Sequence, residues 1–396
     1  MNEPDKTSHC IILHYSEIGL KGGNRKTFEA QLMSNIRTAL KGIIKVHVAR
    51  GYGRFLIDLP EVFDWPTICQ RLKKVVGLAN FALAEAHRQD IDEILPSAVR
   101  QMGRLNYDSF AVVTRRVQKA FPLRSNEIST KVGAASQAQS DARVDRKNPD
   151  VACHIEIFDD RAVVYCEKIA GLRGLPVGTG ERAVSLLSSG IDSPVASWKI
   201  ITRGVKLTFV HFHSAPFTSM ASLNNTKRLV EILTEYQYTS KLYAIPFLEI
   251  QQAIMMNAKP EYRVVLYRRA MIRIAEIVAK KNRANALVTG ESIGQVASQT
   301  LSNMRMISEV TSLPILRPIS GSDKEEIIKT ARVIDTFEIS TEPYEDCCSL
   351  FVPKHPVTRS VPAIVYEAES KIDMEALLGN ALKNAEVSQY KFPPEN

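Results

Sequence analysis

The chain opens on a strand-like apolar run, His9 to Tyr15, and a glycine- and lysine-rich turn, 19–25, then leads into an amphipathic helical pattern from Thr27 to Leu40. Two more strand-like runs follow, Lys45 to Arg50 and Arg54 to Leu59, bent by Gly51 and Gly53. This β-α-β-β order predicts a small open sheet with a helix on one face. Between 61 and 168, helical spacing recurs near 64–75, 90–103 and 125–140, and strand patterns lie at Ser109–Thr114, Ala152–Phe158 and Arg161–Cys166. A glycine-rich stretch at 169–180 marks the clearest boundary. Beyond it strands (Ala183–Leu187, Leu207–Phe212, Lys241–Ile245, Ala286–Thr289, Ile315–Arg317) alternate with helices (194–203, 221–236, 261–281, 323–334). Alternation of this kind predicts a doubly wound parallel sheet, with ligands bound beyond the carboxyl ends of its strands. The expected division is therefore 1–60, 61–168, a linker at 169–180, and 181–396.

Composition narrows the class. With 45% apolar and 24% charged residues the chain is that of an ordinary water-soluble protein, expected in the cytoplasm. The longest uncharged stretch, Leu207 to Thr226, is interrupted by His, Pro, Asn and Ser, so no membrane partner is expected. Residues 1–10 lack the apolar core of a signal peptide. Six cysteines without framework spacing point to reduced thiols. The net charge of +8 is uneven: residues 1–180 carry 26 basic and 20 acidic groups, and 100–147 alone hold ten basic against four acidic. Arg115, Arg116, Lys119, Arg124, Lys131, Arg143, Arg146 and Lys147 form this band. Either it is a solvated face or it is the electrostatic footprint of a nucleic-acid backbone.

The segment 184–197, V-S-L-L-S-S-G-I-D-S-P-V-A-S, carries the strongest chemical signal. A strand empties into a small-residue turn, Ser188 to Ser193, and Pro194 suits the first turn of the helix that follows. Backbone N–H groups and the positive end of a helix dipole converge there, and the serine hydroxyls add donors for a phosphate. No lysine follows the glycine, so this is not a Walker A loop. It resembles the pyrophosphate-binding PP-loop of ATP pyrophosphatases, S-G-G-x-D-S, with Ser189 in place of the first glycine.

Other segments fall at strand ends facing the same side. His211-Phe212-His213 ends one strand; H-x-H also admits a metal reading, with no third ligand apparent. Thr289-Gly290-Glu291-Ser292-Ile293-Gly294-Gln295 follows another, with Gly290 expected to allow close approach of backbone to a ligand. Asp323 and Glu326 form a helix capping pair, and Lys324 sits beside the positive dipole end, where lysine is unfavourable unless an anion is near. Adjacent thiols, Cys347 and Cys348, lie in a polar loop near Lys354, His355 and Arg359, whose charges favour the thiolate.

Taken with L-H-Y-S-E-I-G-L-K-G-G-N-R, F-P-L-R-S-N-E-I, L-R-P-I and Y-E-D-C-C-S-L-F-V-P-K-H-P-V-T-R, these segments resemble the tRNA 4-thiouridine synthetase family across about residues 9–360. The resemblance implies an α/β chain: a ferredoxin-like domain, a THUMP RNA-binding domain, then a PP-loop domain with a doubly wound parallel sheet. It implies ATP-dependent thiolation of uridine 8 in tRNA, with Mg²⁺, through adenylation of O4 and displacement of AMP by sulfur. A further role in thiazole formation for thiamine is implied for the family. ATP would be held by Leu186, Leu187, Ser188, Ser189, Gly190, Ser193, His211, Phe212, Arg268, Gly290 and Gln299. Asp192 and Lys324 match positions essential for adenylation, and Cys347 or Cys348 the catalytic thiol. The basic band, Arg115, Arg116, Lys119, Arg124, Lys131, Arg143 and Lys147, would meet tRNA. The chain ends at Asn396, leaving no room for the rhodanese-like domain of longer members, so sulfur is expected from a cysteine desulfurase or another donor. A homodimer is among the assemblies the sequence allows. The alternatives are a tRNA-binding protein with an inactive ATP site, or a PP-loop enzyme acting on another tRNA base or a small amide.

Overall fold

The computed structural model describes residues 8–51, 53–343 and 355–394. The chain forms two compact units, Met1–Leu175 and Pro176–Asn396.

The first unit runs β1 (Ser8–Tyr15), α1 (Arg25–Ala39), β2 (Val48–Gly51), β3 (Arg54–Asp58), α2 (Trp65–Lys73), β4 (Leu78–His87), α3 (Ile91–Met102), β5 (Ser109–Arg116), α4 (Ser125–Gln137), β6 (Arg143–Val144), β7 (Val151–Ile157), β8 (Ala162–Tyr165) and β9 (Ile169–Ala170). All nine strands share one sheet, in the order β2-β3-β1-β4-β8-β7-β5-β6, with β9 also paired to β4. Strand β4 was not anticipated. Its sequence, L-A-N-F-A-L-A-E-A-H, is rich in alanine, which has little preference for strands. Tertiary pairing decides it: β4 lies antiparallel to β1 with Ile12 opposite Ala82 and Cys10 opposite Ala84. With α2 it completes a β-α-β-β-α-β unit that runs past residue 60.

The sheet is strongly curled. Arg54 on β3 forms an ion pair with Glu156 on β7, four strands away, a gap of about 19 Å were the sheet flat. The concave side gathers Cys10, Ile12, Leu56, Ala82, Ala84, Phe158, Val163 and Tyr165 into a buried cluster. The other side packs Phe110, Cys153, Ile155 and Val164 against Ile94 of α3 and Ile128 of α4. His14 and His154 are enclosed on the concave side, and Nε2 of His14 lies 3.4 Å from Glu156 Oε1. Burial, and then the charges of Arg54 and Lys168, push the His14 imidazole down to about 4. Burial and Lys168 do the same to His154.

A pH dependence follows. Below about 6.5 the unfolded histidines take up protons that the folded ones refuse until about 4. Stability is then complete above about 6.5 and lost as pH falls toward 4, by about 1.4 kcal/mol per histidine per pH unit. Trp65 and Trp198 are the two tryptophans, one in each unit. In the Trp198→Phe chain, the urea midpoint reported by Trp65 fluorescence should drop between pH 6.5 and 5. Replacing both histidines with glutamine should flatten that drop.

The second unit runs β10 (Arg182–Leu186), α5 (Asp192–Ile201), β11 (Lys206–His213), α6 (Ala221–Gln237), β12 (Thr239–Pro246), α7 (Leu248–Asn257), α8 (Arg263–Asn282), β13 (Ala286–Val288), α9 (Leu301–Ser308), β14 (Ile315–Leu316), α10 (Lys324–Val333), α11 (Phe337–Thr341), α12 (Pro362–Ser370), α13 (Met374–Lys383) and β15 (Glu386–Lys391). Its sheet has the order β14-β13-β10-β11-β12-β15. Every pair is parallel except β12 with β15. Side chains of β10 alternate between layers: Val184 and Leu186 join a core built on α8, while Ser185 Oγ meets Ser197 Oγ of α5 at 2.8 Å. The chain leaves β10 toward β11 on one side and returns to β13 on the other. That switch point opens a crevice at the carboxyl ends of the strands. Among the described residues no helix is long and apolar enough to cross a membrane.

Candidate functional site

The loop after β10 occupies this switch point. Ser193 Oγ accepts the Ser188 N–H at 2.9 Å and donates to the Ser188 carbonyl at 3.1 Å, so the loop closes on itself at the start of α5. None of residues 188–193 has a positive φ. Serine at 189 therefore introduces no backbone strain. The Ser189 side chain is fully buried, with Oγ 3.0 Å from Ser222 Oγ at the start of α6. The serine hydroxyls, expected from the sequence to face an anion, thus bond chiefly to one another and to α6; the backbone of the loop and the α5 N-terminus remain as the groups able to receive a phosphate.

An open cleft of about 250 Å³ lies in front of the loop, near the lower end for small-molecule sites. Leu186, Leu187, Ser188, Gly190, Asp192 and Ser193 line it, together with His211 and Phe212 of β11, Arg268 of α8, and Gly290 and Gln299 beyond β13. Of the residues expected to hold a nucleotide, only Ser189 lies outside the lining. His211 is buried, with Nδ1 2.9 Å from the Leu187 carbonyl, which makes Nδ1 the protonated nitrogen. Phe212 packs edge-on to Phe247 at 5.2 Å and presents a flat apolar wall. Gly290 has a reason the sequence did not disclose. A Cβ there would stand 2.7 Å from both Cα and N of Ser193, so glycine is required by the packing of the α5 N-terminus.

At the mouth of the cleft, Asp192 is the first residue of α5 and Lys324 the first of α10. Lys324 Nζ donates to Asp192 Oδ1 at 2.7 Å, and Gln295 Nε2 donates to Oδ2 at 3.0 Å. Asp323 caps α10 by accepting the Glu326 N–H at 2.8 Å. The anion that Lys324 called for is the Asp192 carboxylate.

The sequence places the segment 289–295 at the crevice without giving Glu291 or Gln295 a role, and both side chains line the cleft. Buried Glu291 accepts from Thr289 Oγ1 at 2.9 Å and from Arg317 Nε at 2.7 Å, and Arg317 Nη2 reaches Ser308 Oγ at 2.8 Å. The loop after β13 is thereby tied to the loop after β14 and to α9. Both residues lie in the T-G-E-S-I-G-Q motif, but no periodicity tells which polar side chains of a loop turn inward. Among the described residues no group of three or more His, Cys, Asp or Glu is placed to hold a metal ion. Cys347 and Cys348 lie outside the described residues.

The basic band spreads over β5, its loop, α4 and β6 of the first unit. Arg115, Lys119, Arg124, Lys131, Arg143 and Lys147 are exposed. Arg116 is different. Its Nη1 donates to the carbonyls of Phe121 and Leu123, at 2.9 Å each, and so braces the loop rather than extending into solvent.

Three family profiles match the chain in order: a ThiI ferredoxin-like domain over residues 10–82, a THUMP domain over 87–167, and a thiamine biosynthesis protein (ThiI) over 178–374. A probable tRNA sulfurtransferase of Brevibacillus brevis is 42% identical over 388 residues, 97% of each chain. One from Geobacillus kaustophilus is 42% identical over 379 residues, covering 95% of this chain and 94% of the relative. Among solved structures, a 4-thiouridine synthetase–RNA complex with bound ATP superposes with a TM-score of 0.89 at 36% identity, over 97% of this chain and 100% of that one. PH1313 from Pyrococcus horikoshii shares the fold, with a TM-score of 0.61 at 22% identity. On sequence, domain order and fold together, the chain belongs to the ThiI family of tRNA sulfurtransferases.

Proposed function

We propose that this enzyme makes 4-thiouridine at position 8 of tRNA in two steps, adenylating O4 of the uridine with ATP and then replacing AMP with sulfur. The observation that carries the reading is the meeting, at one cleft, of the 188–193 loop and the Asp192–Lys324 pair. Pyrophosphate leaves onto the backbone N–H groups of the loop and the α5 N-terminus. Lys324 moves from Asp192 to the phosphate as negative charge develops there. Gln299 supports the assignment of the base: its Oε1 is buried without a hydrogen-bond partner among the described residues. An unpaired buried acceptor costs about 1–3 kcal/mol, which an adenine amino group would relieve. Mg²⁺ takes one or two protein carboxylates alongside nucleotide phosphates, and Asp192, half-buried at the cleft, fits that role. When bound, the ion supplies charge neutralisation on those phosphates. The second step belongs to a persulfide on Cys347 or Cys348, charged by a cysteine desulfurase or another donor. The thiamine description of the matching profile supports a second outlet for the same sulfur, in thiazole formation.

The first unit binds the RNA. Replacing Arg115 and Lys119 together with alanine should weaken tRNA binding and lower the slope of log K against log salt by about 1.4–1.8, two phosphate contacts' worth. Arg116→Ala should instead lower the stability of the first unit. An unchanged slope in the double variant means that these side chains face away from the RNA. The whole reading is tested by incubating tRNA with the protein, ATP, Mg²⁺ and a persulfide source, then digesting the tRNA for mass spectrometry of its nucleosides. 4-Thiouridine is the expected nucleoside, and ribonuclease fragments of the same tRNA should place it at position 8; ATP cleavage with sulfur on another base assigns a different substrate.

A further inference from the structure

We propose that Gln295 is a positioning residue for the adenylation step, holding the Asp192 carboxylate in place while Lys324 leaves it for the phosphate. The inference rests on the function proposed above. Asp192 is engaged on both oxygens: Lys324 Nζ is 2.7 Å from Oδ1 and Gln295 Nε2 is 3.0 Å from Oδ2. The two donors come from different parts of the fold, the lysine from α10 and the glutamine from the loop after β13. Only one of them can be spared. A lysine paired with a carboxylate is electrostatically satisfied, so its charge becomes useful to a phosphate only when that pair opens. A carboxylate released by Lys324 keeps the orientation that would suit a phosphate-bound metal only if a second partner holds it. The amide of Gln295, neutral and indifferent to the arriving negative charge, keeps it aligned.

The loop is built to hold that amide. Gly294 takes a φ of +78°, a left-handed turn suited to glycine, and its N–H donates to the Gln299 carbonyl at 3.0 Å. The Ile293 N–H donates to the Ser320 carbonyl at 3.1 Å, which ties the loop to the segment leading into α10. Gln295 is therefore anchored to the same substructure as Lys324, and the pair approach Asp192 as a clamp. Gln295 is itself exposed, so its substitution leaves the core intact.

The experiment uses full-length protein with tRNA and ATP, reading pyrophosphate release. Gln295→Ala should lower kcat about tenfold or more while KM for ATP stays within about twofold, the pattern of an interaction needed only in the transition state. Gln295→Glu should be more damaging at pH 8, because it replaces a donor with a second carboxylate facing Asp192. Its activity relative to the parent should then rise as pH falls toward 6, since protonation of the introduced carboxyl restores a donor. A merely structural role would produce no such new ionisation. Parent-like kcat and pH profiles in both variants overturn the inference, as does a rise in KM with kcat unchanged, which would make Gln295 an ATP contact. These outcomes are read against Asp192→Ala. If that variant is inactive while the Gln295 variants are normal, the positioning role alone fails. If Asp192→Ala is active, the proposed adenylation site fails with it.

Discussion

Replacing Asp192 with alanine is expected to reduce tRNA-dependent pyrophosphate release by about 10²- to 10³-fold, the scale seen when one oriented electrostatic group is removed from a transition state. The loss should be larger than that of its partner's charge alone, because the same side chain orients Lys324 and fits the metal-bearing phosphates. Affinity for tRNA should stay within about twofold, since the exposed basic band lies in the other compact unit. Stability should change little, because Asp192 is bonded to the exposed side chains of Lys324 and Gln295; an ion pair open to solvent on one side is worth about 1 kcal/mol or less. Titration with tRNA in rising salt, beside a pyrophosphate assay, measures both halves. Undiminished pyrophosphate release would remove the 188–193 loop from the chemistry.

The second large effect is expected at the thiols. Either Cys347→Ser or Cys348→Ser should stop thiolation driven by a persulfide donor while pyrophosphate release continues. On the mechanism proposed above, one thiol would carry the terminal sulfur as a persulfide. The thiolate of its neighbour would attack the inner sulfur, expelling hydrosulfide to the adenylated carbon and leaving a disulfide between adjacent residues. Adjacent residues meet disulfide geometry poorly, so a low-molecular-weight dithiol in the assay reduces the bond for the next turnover. Supplying sodium sulfide in place of the persulfide should bypass both substitutions. Normal persulfide-driven rates in both single variants would make the pair structural and leave sulfide to reach the adenylate unaided.

The two units differ in how far their folds were legible. In the second, the parallel strands β10, β11 and β12 are apolar runs closed by polar turns, and burial on both faces leaves that signal plain in the chain. Strand β15, E-V-S-Q-Y-K, is polar and largely exposed, and pairing with the free edge of β12 is what defines it. Helices α7, α9 and α11–α13, ten residues or fewer each, were also missed, since so few turns give little periodicity to read. In the first unit the same limit hid β4. Ala82 and Ala84 are buried in the cluster on one face of the sheet, while the local preference of alanine argues against a strand.

For the site, the chain itself determined the strand–turn–helix loop at 188–193, because strand, small-residue turn and helix start are contiguous and their backbone geometry is local. It also determined most of the cleft lining, since residues at the carboxyl ends of parallel strands must converge once the sheet is doubly wound. Only the tertiary structure decided which polar atoms face one another. Asp192 and Lys324 are 132 positions apart. Their contact, the Gln295 amide on the other oxygen, the burial of Ser189 under α6 and the demand for glycine at 290 all depend on where separate elements cross. Hydrogen bonds reach about 3 Å, and sequence pattern specifies which face a residue takes but not its position to that distance.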